Sequence, residues 1–342
     1  MTTLKDLSRH LGISVTQISR ALNDHSDVSE ATKERVRRGA KELGYSANRS
    51  ARSLKTGRSG MVSLIRAGHL TFPSDLAALD IISGLSMEFS ARDIQFALQM
   101  TDQDADVETI YGKAIGSGSF DGFVLIDLIE NDPRIDIMEK AGVPYVTHGR
   151  ASAEAKHPFF DIDNFAVAKW HTEHLIGLGH RRIAMLNGPK GYAYAQRRLE
   201  GYQAALREAG LPFNNSLVIH CTMTEAKGSV ATAQLFAEGR ERPTGIICAN
   251  VFLARGAYSS LEALQLSVPS DVSIIAHDDV LSNIRTSAFY PALTVTRSPF
   301  ERGWKALSRF LCDAIENGMD DRSRLQEVAD FEFIERASTA RA

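Results

Sequence analysis

From Met61 onward the chain alternates short apolar runs with longer stretches of helical periodicity, and few folds accommodate that rhythm. MVSLIRA reads as a strand, 75–91 as a helix, IQFALQM as a strand, 104–115 as a helix and GFVLID as a strand. Helix 132–141 and strand PYVTHG follow. FFDID opens a second series: helix 165–178, RIAMLNG, helix 195–209, SLVIH, helix 225–237, GIICAN, helix 252–266 and VSIIAH. Short strands separated by helices pair in parallel, because parallel neighbours need a crossover long enough to hold a helix. The fold class is therefore α/β, with doubly wound parallel sheets in two lobes. Ligands in such folds lie beyond the carboxyl ends of the strands, so a ligand is expected between the lobes.

The first sixty residues follow a different pattern. Leu4, Leu7 and Leu11, then Val15, Ile18, Ala21 and Leu22, recur at helical spacing. Gly12 breaks the run and Ser14 stands where an N-cap belongs. Two short helices across a glycine-containing turn make a helix-turn-helix. Its second helix carries Val15, Thr16, Gln17 and Arg20 on or near the outward face, where side chains can meet base edges in a major groove. A third helix is expected from about Glu30 to Leu43, with Ser29 as N-cap and Gly44 at its end. The segment 48–56 is short, rich in Arg and small residues, and has little to bury. An isolated helix of that length is marginal in water, so it should fold only when supported.

Charge agrees with a nucleic-acid end. Residues 1–60 hold 12 Lys or Arg against 6 Asp or Glu, and 61–342 hold 27 against 36. The whole-chain balance of −3 conceals this asymmetry. Arg35, Arg37, Arg38 and Lys41 either meet phosphates or solvate a helix face. Cys221, Cys248 and Cys312 are too far apart to form a ligand cluster or a disulfide framework, which fits a reducing cytoplasm. The N-terminus is polar, without an apolar signal region, and no run approaches a membrane span.

The order helix-turn-helix, ALND, VSEATKERV, ELGYSAN, ARSLKTGRSG resembles the N-terminus of the lactose-repressor/galactose-repressor (LacI/GalR) family of bacterial transcription regulators. FDGFVLID, AGVPYVTHGR, TEHLIGLGHRRIAMLNGP, RRLEGYQAAL, VPSDVSIIAHDD and PALTVTRSPFERG extend the resemblance to the family's effector domain, a fold shared with periplasmic sugar-binding proteins. It implies a DNA-binding head at 1–46, a hinge helix and linker at 47–60, and an effector and dimerisation domain at 61–342. In that fold the chain crosses between lobes three times, placed here near 158–161, 291–294 and 322–325. The N-lobe is then about 61–158 and 294–322, and the C-lobe about 161–291 and 325–342. The implied function is a sequence-specific DNA-binding regulator, a repressor controlled by a small carbohydrate-like effector. The implied setting is cytoplasmic, at the nucleoid, as a homodimer on palindromic operator duplex. The tail EFIERASTARA lacks the leucine heptad of the family's tetramers.

The resemblance also implies site residues. Asn23, Asn48 and Arg52 join the DNA contacts, and Leu54 matches a hinge leucine that wedges into the minor groove. Asp278, after VSIIAH, matches the family's effector-binding aspartate, the alternative being a strand-end cap; Asp279 beside it reads as structural. Arg198 matches an effector-contacting arginine, and Asn250 closes GIICAN, where Val251 replaces the usual acid. Met223 stands where many members carry an aromatic wall, and Arg150 could reach the cleft beside His148. Phe72, followed by Pro73, either stacks on a sugar ring or packs under its loop. Ser298 replaces a common glutamine.

Two other classes make different demands on the sequence. A transport binding protein would lack the head and carry an export signal. A sugar-modifying enzyme would need a catalytic constellation. The sequence has neither a P-loop nor a G-x-S-x-G elbow, and its close carboxylates are DID at 161–163, Asp278–Asp279 and Asp320–Asp321. Asp163 reads as an N-cap. His171, His174 and His180 do not supply the three convergent ligands of a catalytic zinc, so neither metal nor cofactor is expected.

Overall fold

The computed structural model describes residues 2–22, 24–45, 57–68, 76–239 and 241–342. Contacts divide the chain into two compact units, Met1–Ser59 and Gly60–Ala342.

In the first unit, α1 (Leu4–Leu11), α2 (Val15–Leu22) and α3 (Glu30–Glu42) close around Leu7, Ile18, Ala21 and Val36. Thr3 and Asp6 cap α1 reciprocally, which satisfies two N–H groups that a helix start leaves open. Gly12 ends α1 at φ +65°, a left-handed conformation that glycine adopts without a Cβ clash. Ser14 Oγ accepts from Gln17 N at 3.2 Å, and Ser29 Oγ accepts from Thr32 N at 3.4 Å. Both caps stand where the sequence puts them.

The second unit holds two six-stranded sheets. The first consists of β1 (Met61–Ala67), β2 (Gln95–Thr101), β3 (Gly122–Leu125), β4 (Tyr145–His148), β5 (Phe159–Ile162) and β11 (Gln326–Ala329). Its order is β11-β5-β4-β3-β1-β2, and every pair is parallel. The strands alternate between two cores, as period-2 side chains must. Val62, Leu64, Val124 and Val146 meet α4 (Leu76–Ser90) and α11 (Phe300–Asn317) through Leu85, Phe89, Leu307 and Phe310. Ile65, Phe123, Leu125 and Tyr145 meet α5 (Val107–Gly116) and α6 (Pro133–Ala141) through Tyr111 and Met138.

The second sheet consists of β6 (Ile183–Asn187), β7 (Val218–His220), β8 (Gly245–Cys248), β9 (Ser273–Asp278), β10 (Thr294–Arg297) and β12 (Glu332–Ile334). Its order is β12-β10-β9-β8-β6-β7, parallel except for β12 against β10. Helices α7 (Asn164–Gly177) and α8 (Ala193–Glu208) cover one face over Ile183, Met185, Ile247 and Ile275. Helices α9 (Glu225–Leu235) and α10 (Val251–Ala263) cover the other over Leu186, Ile246 and Ile274. Asp163 caps α7, accepting from Ala166 N at 3.0 Å.

Strand pairing places the lobe crossings later than the sequence reading does. β5 pairs with β4 and β11, so the chain leaves the first sheet after Ile162, not near 158–161. β10 pairs with β9, so 294–297 belong to the second sheet and the return follows Arg297, not 291–294. β11 sits at the edge of the first sheet, so the last crossing falls between Ala329 and Glu332, not near 322–325. The reason is physical. A short apolar run has a strand period whichever sheet it joins, and only tertiary pairing selects the partner. Helix α11 was not assigned from sequence, although Trp304, Leu307, Leu311 and Ala314 recur at helical spacing and are buried.

Candidate functional sites: the recognition helix and the interlobe cleft

On α2, Val15, Thr16, Gln17 and Arg20 are exposed, while Ile18 and Ala21 face the head's core. Val15 is 37% exposed, which leaves its methyl groups free to meet a thymine methyl. The Arg20 guanidinium lies 3.1 Å from Asp27 and stays half exposed. Of the basic cluster on α3, Arg35 donates to Leu11 O at 2.7 Å and Arg37 pairs with Asp24 at 3.1 Å. Those two therefore help tie α3 to its neighbours. Asn23, Asn48, Arg52 and Leu54 lie outside the described residues.

The cleft of the second unit is built where strands end. Arg198 stands on α8, with its guanidinium carbon 5.3 Å from the Tyr194 ring centroid and one N–H directed at Met223 Sδ, 3.7 Å away. Its Nε is buried and has no hydrogen-bond partner among the described residues. Burial pulls this guanidinium below its ordinary pKa, opposed by Asp279, Tyr194 and Asp161 in that order. A buried cation without a carboxylate clasp is costly unless something completes it. Tyr194 stacks on Tyr192 at 5.4 Å, and burial raises both phenols. Arg197 instead lies over Phe165 and pairs with Glu200, so Arg198 is the inward member of the pair.

The first lobe contributes Arg150 and Asp161, joined at 2.7 Å and both largely buried. Burial raises the Asp161 carboxyl, and Arg150 opposes that shift. His148 stacks on Phe160 and meets Phe300 edge-on; burial lowers its pKa against Asp161, Asp279 and Asp127. The lobes also touch directly. Ala193 N donates to Leu128 O at 2.8 Å, and Ser282 donates from N and Oγ to Asp80 at 3.0 and 2.9 Å.

Two sequence-assigned residues are already engaged. Asn250 accepts from Leu253 N at 2.9 Å, capping α10, and donates to Met223 O at 3.2 Å. Asp278 accepts from Val280 N at 2.8 Å and Thr286 Oγ1 at 3.2 Å, with Arg297 Nε 3.5 Å away. Phe72 lies outside the described residues. The sequence reading missed Tyr194, Asp161 and Asp127. Tyr194 sits one helical turn before Arg198, a spacing that would have marked it.

Comparison with known proteins bears on both sites. Residues 3–48 match the family described as bacterial regulatory proteins, lacI family, and 172–339 match a periplasmic binding protein-like domain. The chain is 34% identical over 340 residues to the HTH-type transcriptional regulator AglR of Rhizobium meliloti (strain 1021), covering 99% of this chain and 94% of that protein. It is 32% identical over 327 residues to the HTH-type transcriptional regulator CelR of Thermobifida fusca, covering 94% of each. The solved transcriptional regulator CelR–cellobiose complex superposes with a TM-score of 0.70 at 28% identity, covering 99% of this chain and 100% of that one.

The chain belongs to the lacI family.

As a lacI-family member it is a DNA-binding transcriptional regulator, and its relatives are regulators rather than enzymes. The transport-protein and enzyme alternatives fall with that membership. His171, His174 and His180 each have a separate partner in this lacI-family fold. His171 Nε2 lies 2.8 Å from Thr296 Oγ1, His174 stacks on Trp170, and His180 bonds Thr244 and Ala340 O. Among the described residues, no His, Cys, Asp and Glu group could hold a metal, and no helix is long and apolar enough to cross a membrane.

Proposed function

We propose that this protein is a repressor whose hold on a palindromic operator is controlled by a neutral carbohydrate bound between the lobes of its second unit. The observation that carries the effector half is Arg198: a buried guanidinium whose Nε is unpartnered among the described residues, beside Tyr194 and facing acidic groups. Sugars offer hydroxyls at fixed angles and apolar C–H faces, so charged planar groups next to aromatic rings suit them. The relative CelR is a cellobiose complex in its solved form, and a disaccharide of that kind is the proposed effector class.

Val15, Thr16, Gln17 and Arg20 read base edges. Asn23, Asn48, Arg52 and the Leu54 wedge add the hinge and flank contacts. Two copies meet the two half-sites, because a palindrome mirrors a protein two-fold. Arg198, Met223, Asn250, Asp278 and Arg150 line the effector site, with Phe72 closing it. The protein works at the nucleoid.

The test uses full-length protein and a panel of neutral mono- and disaccharides that includes cellobiose. Calorimetry should find saturable one-site binding to a panel member. Operator fragments selected from random duplex should be palindromic, and the bound sugar should weaken their binding. Binding to no panel sugar would sink the carbohydrate reading; enrichment of no palindrome would sink the operator reading.

A further inference from the structure

The loop between α2 and α3 carries two aspartates, and they serve different helices. Asp24 is tied to α3. Its Oδ1 lies 3.0 Å from Lys33 Nζ and 3.1 Å from Arg37 Nη2, and Lys33 also pairs with Glu30 at 2.8 Å. Asp27 is tied to α2. Its Oδ2 lies 3.1 Å from Arg20 Nη1. Arg20 is the one Lys or Arg on α2, so among the described residues Asp27 is the carboxylate paired with the recognition helix.

The backbone holds Asp27 from both sides. His25 N donates to Arg20 O at 3.1 Å, which folds the loop back over the end of α2. Val28 N donates to His25 O at 3.3 Å, and the Val28 side chain, 7% exposed, belongs to the head's core. Ser29 then caps α3. A residue set between these anchors keeps its Cα in place, so its carboxylate stays within reach of Arg20.

Stability does not explain the pair. The two side chains are 51% and 49% exposed, and an exposed ion pair contributes little in water. Its location gives it another use. Arg20 is exposed on α2 with Val15, Thr16 and Gln17, so the Asp27 carboxylate stands beside a group proposed to meet a base edge. A guanidinium has five N–H donors, and guanine engages two of them through O6 and N7. Asp27 can keep an N–H of Nη1 while the rest of the fork turns to guanine.

An arginine without such a partner is flexible. On any duplex it can swing to the nearest phosphate, a contact that carries no sequence information. With Asp27 in place that swing breaks an ion pair and leaves a carboxylate facing phosphates, which is repulsive. Where guanine meets Arg20 the pair survives, and an oriented guanidinium loses less rotamer freedom on docking.

We infer that Asp27 is a positioning residue that sets specificity in the head: it orients Arg20 for guanine and opposes its use on phosphate. This rests on the reading of Arg20 as a base contact.

The test is fluorescence anisotropy with the full-length protein at one salt concentration. The duplexes are the selected operator, variants substituted at each base pair in turn, and a non-specific sequence. Arg20→Ala identifies the base pair that Arg20 reads, as the position where discrimination is lost. There Asp27→Ala should lower discrimination at least about tenfold, the scale of one bidentate base contact. It should also raise affinity for non-specific duplex about threefold, and other positions should keep their discrimination. In the Arg20→Ala background Asp27→Ala should change discrimination at that base pair by less than about twofold. A merely structural aspartate would instead weaken every duplex alike in both backgrounds. Asp27→Asn, which keeps the size and loses the charge, should fall between, and it decides if Asp27→Ala misfolds by circular dichroism. Full discrimination at the Arg20 position in a folded Asp27 variant, or uniform weakening of every duplex, would overturn the assignment while leaving Arg20 as a base reader. A uniform loss across all positions in Arg20→Ala, or failure to select any operator, would overturn both.

Discussion

At the residue scale, the buried histidines make a pH prediction with a definite sign. His171 is 1% exposed, and burial, then the charges of His277 and Arg198, hold its pKa well below 6.5. His148, His157, His174 and His180 shift in the same direction, chiefly through burial. Above pH 6.5 the folded and unfolded imidazoles are both neutral, so these groups leave stability unchanged. Below 6.5 the unfolded chain takes up protons that the folded chain refuses, so stability falls with pH until the folded pKa values are reached. His171→Gln should therefore lose less melting temperature than the wild type between about pH 7.5 and about pH 5.5. Calorimetric scans of both proteins check this, and the comparison cancels the contribution of Asp161, whose raised pKa acts in the opposite sense. Equal losses would mean that His171 is protonated in the folded protein. A second residue-scale prediction concerns Arg20, exposed on α2 and held lightly by Asp27. Arg20→Ala should cost about 1–3 kcal/mol at one operator position and relax preference there. A uniform loss across all base substitutions would make Arg20 a phosphate contact.

At the element scale, α8 carries Arg198 into the cleft, and its position depends on close contact with α7. A Cβ built on Gly201 would stand 2.1 Å from Phe165 O and 3.0 Å from Lys169 N. Backbone atoms cannot swing aside as a flexible side chain can. Gly201→Ala should push the two helices apart and destabilise the fold by about 1–3 kcal/mol, the range for an overfilled contact. Urea denaturation measures that loss, and sugar affinity should fall with it because Arg198 shifts; unchanged stability would mean that the helices separate freely. The sequence reading used Gly201 as a spacing marker for Arg198, but its reason for being glycine lies in a neighbour 36 positions away in the chain. The same division holds elsewhere. Strands such as RIAMLNG and caps such as Ser14, Ser29 and Asp163 were legible because their signals are local. The lobe membership of β5, β10 and β11 was not, because period-2 apolar runs carry no record of their partner. Nor were the internal hydrogen bonds of Asn250 and Asp278 with Leu253 N, Met223 O, Val280 N and Thr286, which depend on tertiary neighbours. A motif match locates a side chain near a cleft and says nothing of what already occupies its lone pairs.

At the scale of the whole molecule, a DNA-binding head and a cleft in a separate unit can influence each other only through an equilibrium that both ligands bias. The second unit has the means for two arrangements. Its lobes meet through polar contacts, the Ser282–Asp80 pair and the Ala193–Leu128 bond among them, and through Ala193 packed into a first-lobe core, while most of each core lies within one lobe. Lobes with packed cores move as bodies when they move, because packed interiors do not deform gradually. An effector shifts such an equilibrium only by its differential affinity for the two arrangements. The proposal of sugar-controlled operator binding therefore carries a quantitative obligation. If saturating sugar weakens operator binding by some factor, saturating operator must weaken sugar binding by the same factor, since both close one thermodynamic cycle. Coupling of about 5–150-fold is the ordinary range. The measurement is fluorescence anisotropy of a selected operator with and without sugar, set against calorimetry of the sugar with and without operator, at one salt concentration because phosphate contacts depend on salt. Asp80→Ala should change both factors together, since it loosens a contact between lobes and touches neither ligand. Unequal factors would show that the sugar displaces DNA by a route other than a shared conformational equilibrium, and the two-state account of this repressor would fail.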